Sequence, residues 1–189
     1  NYTAHGISVN ESQFVNVRNN TITANYNGVY NLISFYGVSN DTISNNTLNG
    51  NGVFGGIWHF NEYYLLGFNV VISDNIIENT QEQAILTHKT FAKIYNNKIR
   101  HFKNGFAIRN MRTFDKIYNN YIHCDGNTPA VGISLQTRVQ EPDNVHSVEI
   151  YHNNVWIETT DNVNGIGLEI SNGFNHIVKN NIFYNSAGG

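Results

Sequence analysis

An asparagine pair recurs along the whole chain and constrains the fold more than any other feature of the sequence. In each copy an apolar residue stands two positions after the second asparagine. The copies are Asn19-Asn20, Asn45-Asn46, the varied Asp74-Asn75, Asn96-Asn97, Asn119-Asn120, Asn153-Asn154 and Asn180-Asn181. The second asparagine falls at positions 20, 46, 75, 97, 120, 154 and 181, so the copies are 22 to 34 residues apart. A repeat of this size predicts a solenoid of stacked coils.

Two short alternating segments accompany each pair. One lies directly before the pair, as in Val15-Asn16-Val17, and the other lies upstream and usually opens with glycine, as in Gly56-Ile57-Trp58. Period-two alternation bounded by glycine and asparagine predicts β-strands. Each unit is too short to bury a face alone, so its neighbours must complete the core. We therefore predict an all-β, right-handed parallel β-helix of about seven coils, with almost no helix, as a single domain over residues 1–189.

Asparagine suits the turn of such a coil for two physical reasons. It tolerates the left-handed backbone region better than other residues that carry a Cβ atom. Stacked asparagine side chains also form a hydrogen-bonded ladder from coil to coil. We assign both roles to the second asparagine of each pair and predict that the apolar residue two positions later points inward.

Composition argues against several classes of protein. The net charge of −3 gives no electrostatic reason to bind nucleic acid or an anionic membrane. Asparagine supplies 34 of the 189 residues, but 40% apolar residues argue against a disordered asparagine-rich chain. No apolar run is long enough for a membrane span, and one cysteine, Cys124, excludes an internal disulfide. The chain opens on Asn1 without a signal peptide, and we expect it to be a fragment of a longer protein.

The unit Gly-Ile-x-x-x…Ile-x-Asn-Asn-x-Ile resembles the parallel β-helix repeat of the pectate-lyase-like superfamily, over essentially the whole chain. The resemblance implies a rod that works outside the cell on long polysaccharides, along a groove on its side. It does not choose among lyases, polygalacturonases, epimerases, tailspike depolymerases and non-catalytic surface proteins, because a fold does not fix an activity.

Several catalytic hallmarks of that superfamily are missing. The segment 141–144 reads Glu-Pro-Asp-Asn and lacks the histidine of the Asp-Pro-His tetrad of alginate epimerases. The paired aspartates of polygalacturonases are absent, since Asp115, Asp125, Asp143 and Asp161 are isolated in the sequence. No acidic cluster resembles the calcium site of pectate lyases. We therefore predict neither a metal nor a cofactor.

Strand alternation predicts one outer face on the upstream strands. Its expected members are Trp58, Thr87, Arg109, Ser134, Gln136 and Glu169. An aromatic ring, an arginine, amides and an acid suit stacking on sugar rings and hydrogen bonding to their hydroxyls and carboxylates. The alternative is an ordinary solvated sheet face.

Two insertions leave the coil at the same turn, beside this outer face. Residues 61–68 carry Tyr63 and Tyr64, and residues 137–145 carry Arg138. Loops on a rigid scaffold tend to carry function. The aromatic insertion suits a sugar platform, an apolar lid or a contact with a neighbouring subunit equally well. The predicted substrate-binding residues are Trp58, Tyr63, Tyr64, Gln136 and Arg138.

The catalytic candidates follow from what each reaction requires. β-Elimination on a uronate polymer needs a cation at the carboxylate and a base at C5. Arg109 is the candidate cation, and His59 or His88 is the candidate base. The two histidines also raise the possibility of a metal site, but the variable spacing establishes no set of three ligands and favours a structural histidine stack.

Hydrolysis would require two carboxylates that face each other across the scissile bond. The sequence offers Glu169 together with either Glu141 or Asp143. Nothing in the spacing brings the members of either pair together. Whether the chain is an enzyme, such as a polysaccharide lyase, is therefore left open.

Two functions remain as hypotheses. The first is an extracellular or cell-surface domain that binds a polysaccharide and, if catalytic, cleaves or modifies it. The second is a non-catalytic structural or adhesive rod within a large surface or fibre protein. In either case the helical cap expected at the first coil is missing from the sequence, so we expect self-association through uncapped coil ends or through the aromatic insertion.

Overall fold

Every regular element is a β-strand in the part of the chain that the computed structural model describes. The described residues are 4–24, 29–37, 39–51, 54–61, 67–100, 105–111, 113–125, 129–136, 147–158, 165–171 and 173–186. Within them, no helix is long and apolar enough to cross a membrane.

The strands follow one another in groups of three. The first twelve are β1 (Ala4–Asn10), β2 (Asn16–Arg18), β3 (Thr21–Thr23), β4 (Val29–Tyr36), β5 (Thr42–Ser44), β6 (Thr47–Asn49), β7 (Gly55–Phe60), β8 (Gly67–Ser73), β9 (Ile76–Glu78), β10 (Gln83–His88), β11 (Thr90–Tyr95) and β12 (Lys98–Arg100). The others are β13 (Gly105–Met111), β14 (Lys116–Tyr118), β15 (Tyr121–Cys124), β16 (Ala130–Gln136), β17 (Glu149–Tyr151), β18 (Asn154–Ile157), β19 (Gly165–Ile170), β20 (Ile177–Lys179) and β21 (Ile182–Asn185).

Three parallel sheets run along the molecule, and each takes every third strand. Sheet 1 has the order β1-β4-β7-β10-β13-β16-β19, and sheet 2 has the order β2-β5-β8-β11-β14-β17-β20. Sheet 3 contains β3-β6-β9-β12-β15-β18-β21. Each strand pairs in parallel with the equivalent strand of the neighbouring coil. The predicted right-handed parallel β-solenoid is therefore confirmed.

Columns of aliphatic side chains fill the interior. Sheet 1 contributes Ile33, Ile57, Ile85, Ile108 and Ile133; sheet 2 contributes Ile43, Ile72, Ile94, Ile117 and Ile150; sheet 3 contributes Leu48, Ile77, Ile99, Ile122 and Val155. Nearly all of their surface is buried, and burial of each such side chain stabilises the fold by roughly 1.5–3 kcal/mol. Each column needs the next coil to cover it, which is why the repeat forms a stack.

The asparagine ladder is present, but the two predicted roles fall on different members of each pair. The first member is exposed and has the left-handed backbone, with φ of 55° at both Asn96 and Asn119. The second member is buried: the Asn75 Nδ2 atom donates to the Asn97 Oδ1 atom (3.0 Å) and to the Ile43 backbone oxygen (3.0 Å). The left-handed residue turns the chain, and the residue after it points into the corner where the amides stack.

In one coil the ladder residue was predicted one position too late in the sequence. The ladder residue of that coil is Asn153, whose Oδ1 atom accepts from the Asn120 Nδ2 atom at 3.0 Å. His152 takes the left-handed position with φ of 56°, and Asn154 is exposed. The inward residue is therefore Val155, whereas Trp156 points outward and is 43% exposed. The pair of this coil is His152-Asn153, and the neighbouring Asn153-Asn154 was taken for it because it has two asparagines.

The inward side chains of the last described coil are exposed, since no described strand pairs beyond it. Val178 is 41% exposed, whereas Ile150, its partner in the preceding coil, is fully buried. Phe183 and its buried partner Val155 differ in the same way. This end of the described solenoid is therefore an apolar surface.

Candidate functional site

Strand register places a row of mixed chemistry across the outer face of sheet 1. Leu86 pairs with Trp58 on one side and with Arg109 on the other. Arg109 pairs with Ser134, which pairs with Glu169. Five successive coils thus each contribute one outward side chain to this row. We call this surface the sheet 1 face.

A chain of hydrogen bonds fixes the polar half of the sheet 1 face. The Nε and Nη2 atoms of Arg109 donate to the Gln136 Oε1 atom at 3.0 and 2.7 Å. The Gln136 Nε2 atom donates to the Glu169 Oε2 atom at 3.1 Å, and the Ser134 hydroxyl donates to the same oxygen at 2.6 Å. The guanidinium also lies 4.8 Å from the centre of the Phe106 ring. A cation, an amide and a carboxylate are therefore held in order along the rod.

Stacked rings form the other half of the sheet 1 face. Phe60 stacks on Trp58 at 5.0 Å, on His88 at 4.3 Å and on Tyr36 at 5.9 Å between ring centres. The Nδ1 atom of His88 lies 2.9 Å from the backbone oxygen of Asn61. Since a carbonyl oxygen only accepts, that ring nitrogen carries the proton. The result is an aromatic surface beside the polar row.

Thr87, which was predicted for this face, and His59, which was predicted as a base, lie on the other side of sheet 1. His59 is fully buried, its ring stacks on Phe35 at 5.6 Å, and its Nε2 atom is 3.6 Å from the Asp41 Oδ2 atom. Thr87 pairs with His59 and is buried as well. A ring without exposed surface cannot reach a polymer, and this burial argues against His59 as the base. His59 and His88 do not converge, because they lie on opposite faces of the sheet.

The structure does not describe the predicted residues of the two insertions. Tyr63, Tyr64 and Arg138 lie outside the described residues, and so do Glu141 and Asp143. Their roles remain predictions. In the described part of the chain, no three His, Cys, Asp or Glu side chains converge to hold a metal ion.

Glu82 is a member of this region that the sequence did not reveal. It lies directly before β10, and its backbone oxygen accepts from the Phe106 amide at 2.6 Å. Burial raises the pKa of the Glu82 carboxyl above its ordinary value, and the positive charge of Arg109 opposes that shift. A carboxyl that holds its proton more readily is a candidate proton donor. Sequence analysis missed Glu82 because it lies before the strand, at a position that the repeat pattern does not include.

Asp115 is a second residue whose environment only the structure shows. It is fully buried at the corner between sheets 1 and 2. Its carboxylate accepts from the Thr87 hydroxyl (2.7 Å), the Thr90 hydroxyl (2.8 Å), the Ala92 amide (2.7 Å) and the Asn110 Nδ2 atom (2.7 Å). Burial raises the pKa of Asp115 to about 7, and these hydrogen bonds oppose the shift. Asp115 supports the sheet from inside and does not contact the outer face.

Comparison with known proteins gives one family and one distant structure. A family model described as the right handed beta helix region matches residues 1–122. The chain is similar to the crystal structure of the periplasmic alginate epimerase AlgG at 13% identity and a TM-score of 0.36, over 90% of this chain and 47% of that chain. The chain thus spans about half the length of that protein. No curated protein matches the chain.

Proposed function

This chain belongs to the family of right-handed β-helix proteins, and from that premise we propose that it binds an extracellular polysaccharide along the sheet 1 face. The observation that carries the proposal is the continuous row from Trp58 to Glu169, with its hydrogen-bonded Arg109 and Gln136. A polymer of this kind is found outside the cytoplasm, so the proposal includes an extracellular or cell-surface location.

The chemistry of the face suits a sugar chain that runs along the rod. Four strand spacings separate Trp58 from Glu169, or about 19 Å at ~4.8 Å per strand. The rings around Phe60 offer apolar surface for the faces of sugar rings. The Arg109, Gln136 and Glu169 side chains offer charge-assisted hydrogen bonds to hydroxyls and carboxylates. This arrangement recognises a linear polymer and leaves the identity of its sugar open.

A catalytic extension of this proposal is a β-elimination on a uronate unit. Arg109 would neutralise the substrate carboxylate, and His88 remains the candidate base after the exclusion of His59. Glu82, with its raised pKa, would donate a proton to the leaving oxygen. Release of an unsaturated uronate, which absorbs ultraviolet light, tests this extension directly.

A structural rod is the second candidate function. It is favoured by the asparagine ladder, which is continuous from Asn20 to Asn181 and requires no ligand. The burial of His59 also removes one of the two candidate bases. If no polymer binds to the sheet 1 face, the rod is the function that remains.

Binding to a panel of acidic and neutral polysaccharides tests the proposal. We expect Arg109→Gln and Trp58→Ala each to weaken binding of the preferred polymer at least tenfold, which is about 1.4 kcal/mol. Lys93→Gln is the matched control, because Lys93 is an exposed cation on the outer face of sheet 2. Circular dichroism checks that each variant folds. Equal affinity in all three variants would contradict the proposal.

A further inference from the structure

Sheet 3 carries a second outward row that the sheet 1 face does not include. Glu78 pairs with Arg100, which pairs with His123. His123 pairs with Trp156, which pairs with Tyr184. These five residues come from successive coils, so basic and aromatic side chains line up along another side of the rod.

Three rings on this side are open to solvent. Tyr121 is 40% exposed, Trp156 is 43% exposed and Tyr184 is 44% exposed. The Trp156 and Tyr184 ring centres are 4.4 Å apart. Aromatic rings exposed in series on a rigid sheet offer a stacking surface for the apolar faces of sugars.

A groove of about 550 Å³ lies beside these rings. Three amides line it, from Asn96, Asn97 and Asn119. The other lining residues are Lys98, Arg100, Tyr121 and His123. None of these residues, all in the described part of the chain, carries a carboxylate. The volume is in the range of small-ligand sites, and the lining combines amides and cationic groups with the rings of Tyr121 and His123.

Among the described residues around the groove, one cation is available to a ligand. Arg100 forms a salt bridge with Glu78, and the His123 Nε2 atom is 3.2 Å from the Glu158 Oε2 atom. Within the described residues Lys98 has no ion-pair partner, and its Nζ atom lies 5.9 Å from the centre of the Tyr121 ring. A single cation beside a ring matches a sugar that carries a single carboxylate.

We propose that the sheet 3 groove is a separate binding site for an acidic sugar unit of a glycan. Lys98 binds the carboxylate, Tyr121 stacks on the sugar ring, and the exposed amides of Asn96 and Asn119 bind hydroxyls, whereas the Asn97 amide is held in the ladder. Trp156 and Tyr184 extend the stacking surface to the next two coils. The site goes beyond the function proposed for the sheet 1 face, because a rod with two binding sides holds two glycan segments at once.

The two tryptophans of the chain allow each face to be examined alone. Trp58→Phe leaves Trp156 as the only indole, and Trp156→Phe leaves Trp58. In the Trp58→Phe protein, we expect oligogalacturonate to change the Trp156 emission in a saturable manner. Lys98→Gln in that background should weaken the interaction at least tenfold, whereas Lys93→Gln should leave it unchanged. A cello-oligosaccharide of the same length should bind at least tenfold more weakly.

Calorimetry of the same titrations provides the second measurement. Absence of both heat and emission change in the Trp58→Phe protein would overturn this inference, as would equal affinity for the neutral oligosaccharide or indifference to Lys98→Gln. The sheet 1 proposal is tested in the Trp156→Phe variant, where an unchanged Trp58 emission on titration would contradict it. The emission of each variant therefore reports on one face, because each variant keeps a single indole.

Discussion

At Asp115 a carboxyl group occupies a position that apolar residues hold in the neighbouring coils. The next residue, Lys116, pairs with Lys93 and with Glu149, so Asp115 is equivalent to Ala92 in the coil before and to Val148 in the coil after. It remains there because hydroxyl and amide donors surround it, including Thr87 and Thr90. A buried polar group is tolerated when its hydrogen bonds are made, and its titration then becomes linked to folding.

Stability should fall as pH rises through the window set by Asp115. Its pKa is raised from 3.8 to about 7 in the fold. Between these values the unfolded chain has released the proton and the folded chain retains it, so the free energy of unfolding should fall by up to about 1.4 kcal/mol per pH unit. Urea unfolding across this window measures the slope. Asp115→Asn, which does not titrate, should have a smaller slope; an identical slope would contradict the assignment.

At the scale of the element, the corner between sheets 2 and 3 is built from two consecutive residues with separate tasks. One residue supplies the left-handed backbone, and this is a histidine at position 152 and an aspartate at position 74. The next supplies the buried amide, and this position is asparagine from Asn20 to Asn181. The turn therefore tolerates variation at its first residue, whereas the ladder requires a donor and an acceptor on one short side chain.

Two adjacent asparagines provide a direct test of this division. Asn153→Ala should remove amide bonds to Asn181 and to the Ile117 backbone oxygen, and leave the Asn120 amide without its acceptor. An unsatisfied buried polar group costs about 1–3 kcal/mol. Asn154→Ala alters an exposed side chain and should change stability by less than about 0.5 kcal/mol. Thermal and urea unfolding of both variants measure the difference; a larger loss in Asn154→Ala would show that the frame is wrong.

At the scale of the whole molecule, the sides of the solenoid differ in chemistry from its last described coil. The sides present outer faces with different chemistry, whereas the last coil presents core residues to solvent. An exposed apolar end with unpaired strand edges is a surface for association. Self-association through such an end, which the sequence analysis expected, stays a prediction.

The residue 1–189 chain should self-associate through its last coil. Val178→Lys places a charge at the end of the core and should lower the association constant at least tenfold. Ile177→Lys is the matched control, because Ile177 belongs to the same strand, is 47% exposed and pairs with outward-facing Glu149. Sedimentation velocity over a range of concentrations measures the effect. A monomeric parent chain, or an equal effect of both substitutions, would contradict this prediction.

The repeat, the strands and the solenoid could all be predicted from the sequence alone. These follow from spacing within each coil, because period-two alternation, glycine and asparagine act on neighbouring residues. Trp58, Arg109, Ser134 and Glu169 were aligned correctly from that alternation alone. No coil can bury its apolar side without another coil, so the repeat also dictated stacking.

The register between neighbouring coils became visible only in the folded structure. Insertions make the spacing irregular, and a shift of one residue turns a strand over, so Thr87 faces inward and Asn153 replaces Asn154 in the ladder. The environments of Glu82 and Asp115 depend on coils more than 20 residues away in sequence. Burial and charge are properties of those distant neighbours, and the local sequence does not encode which neighbours they are.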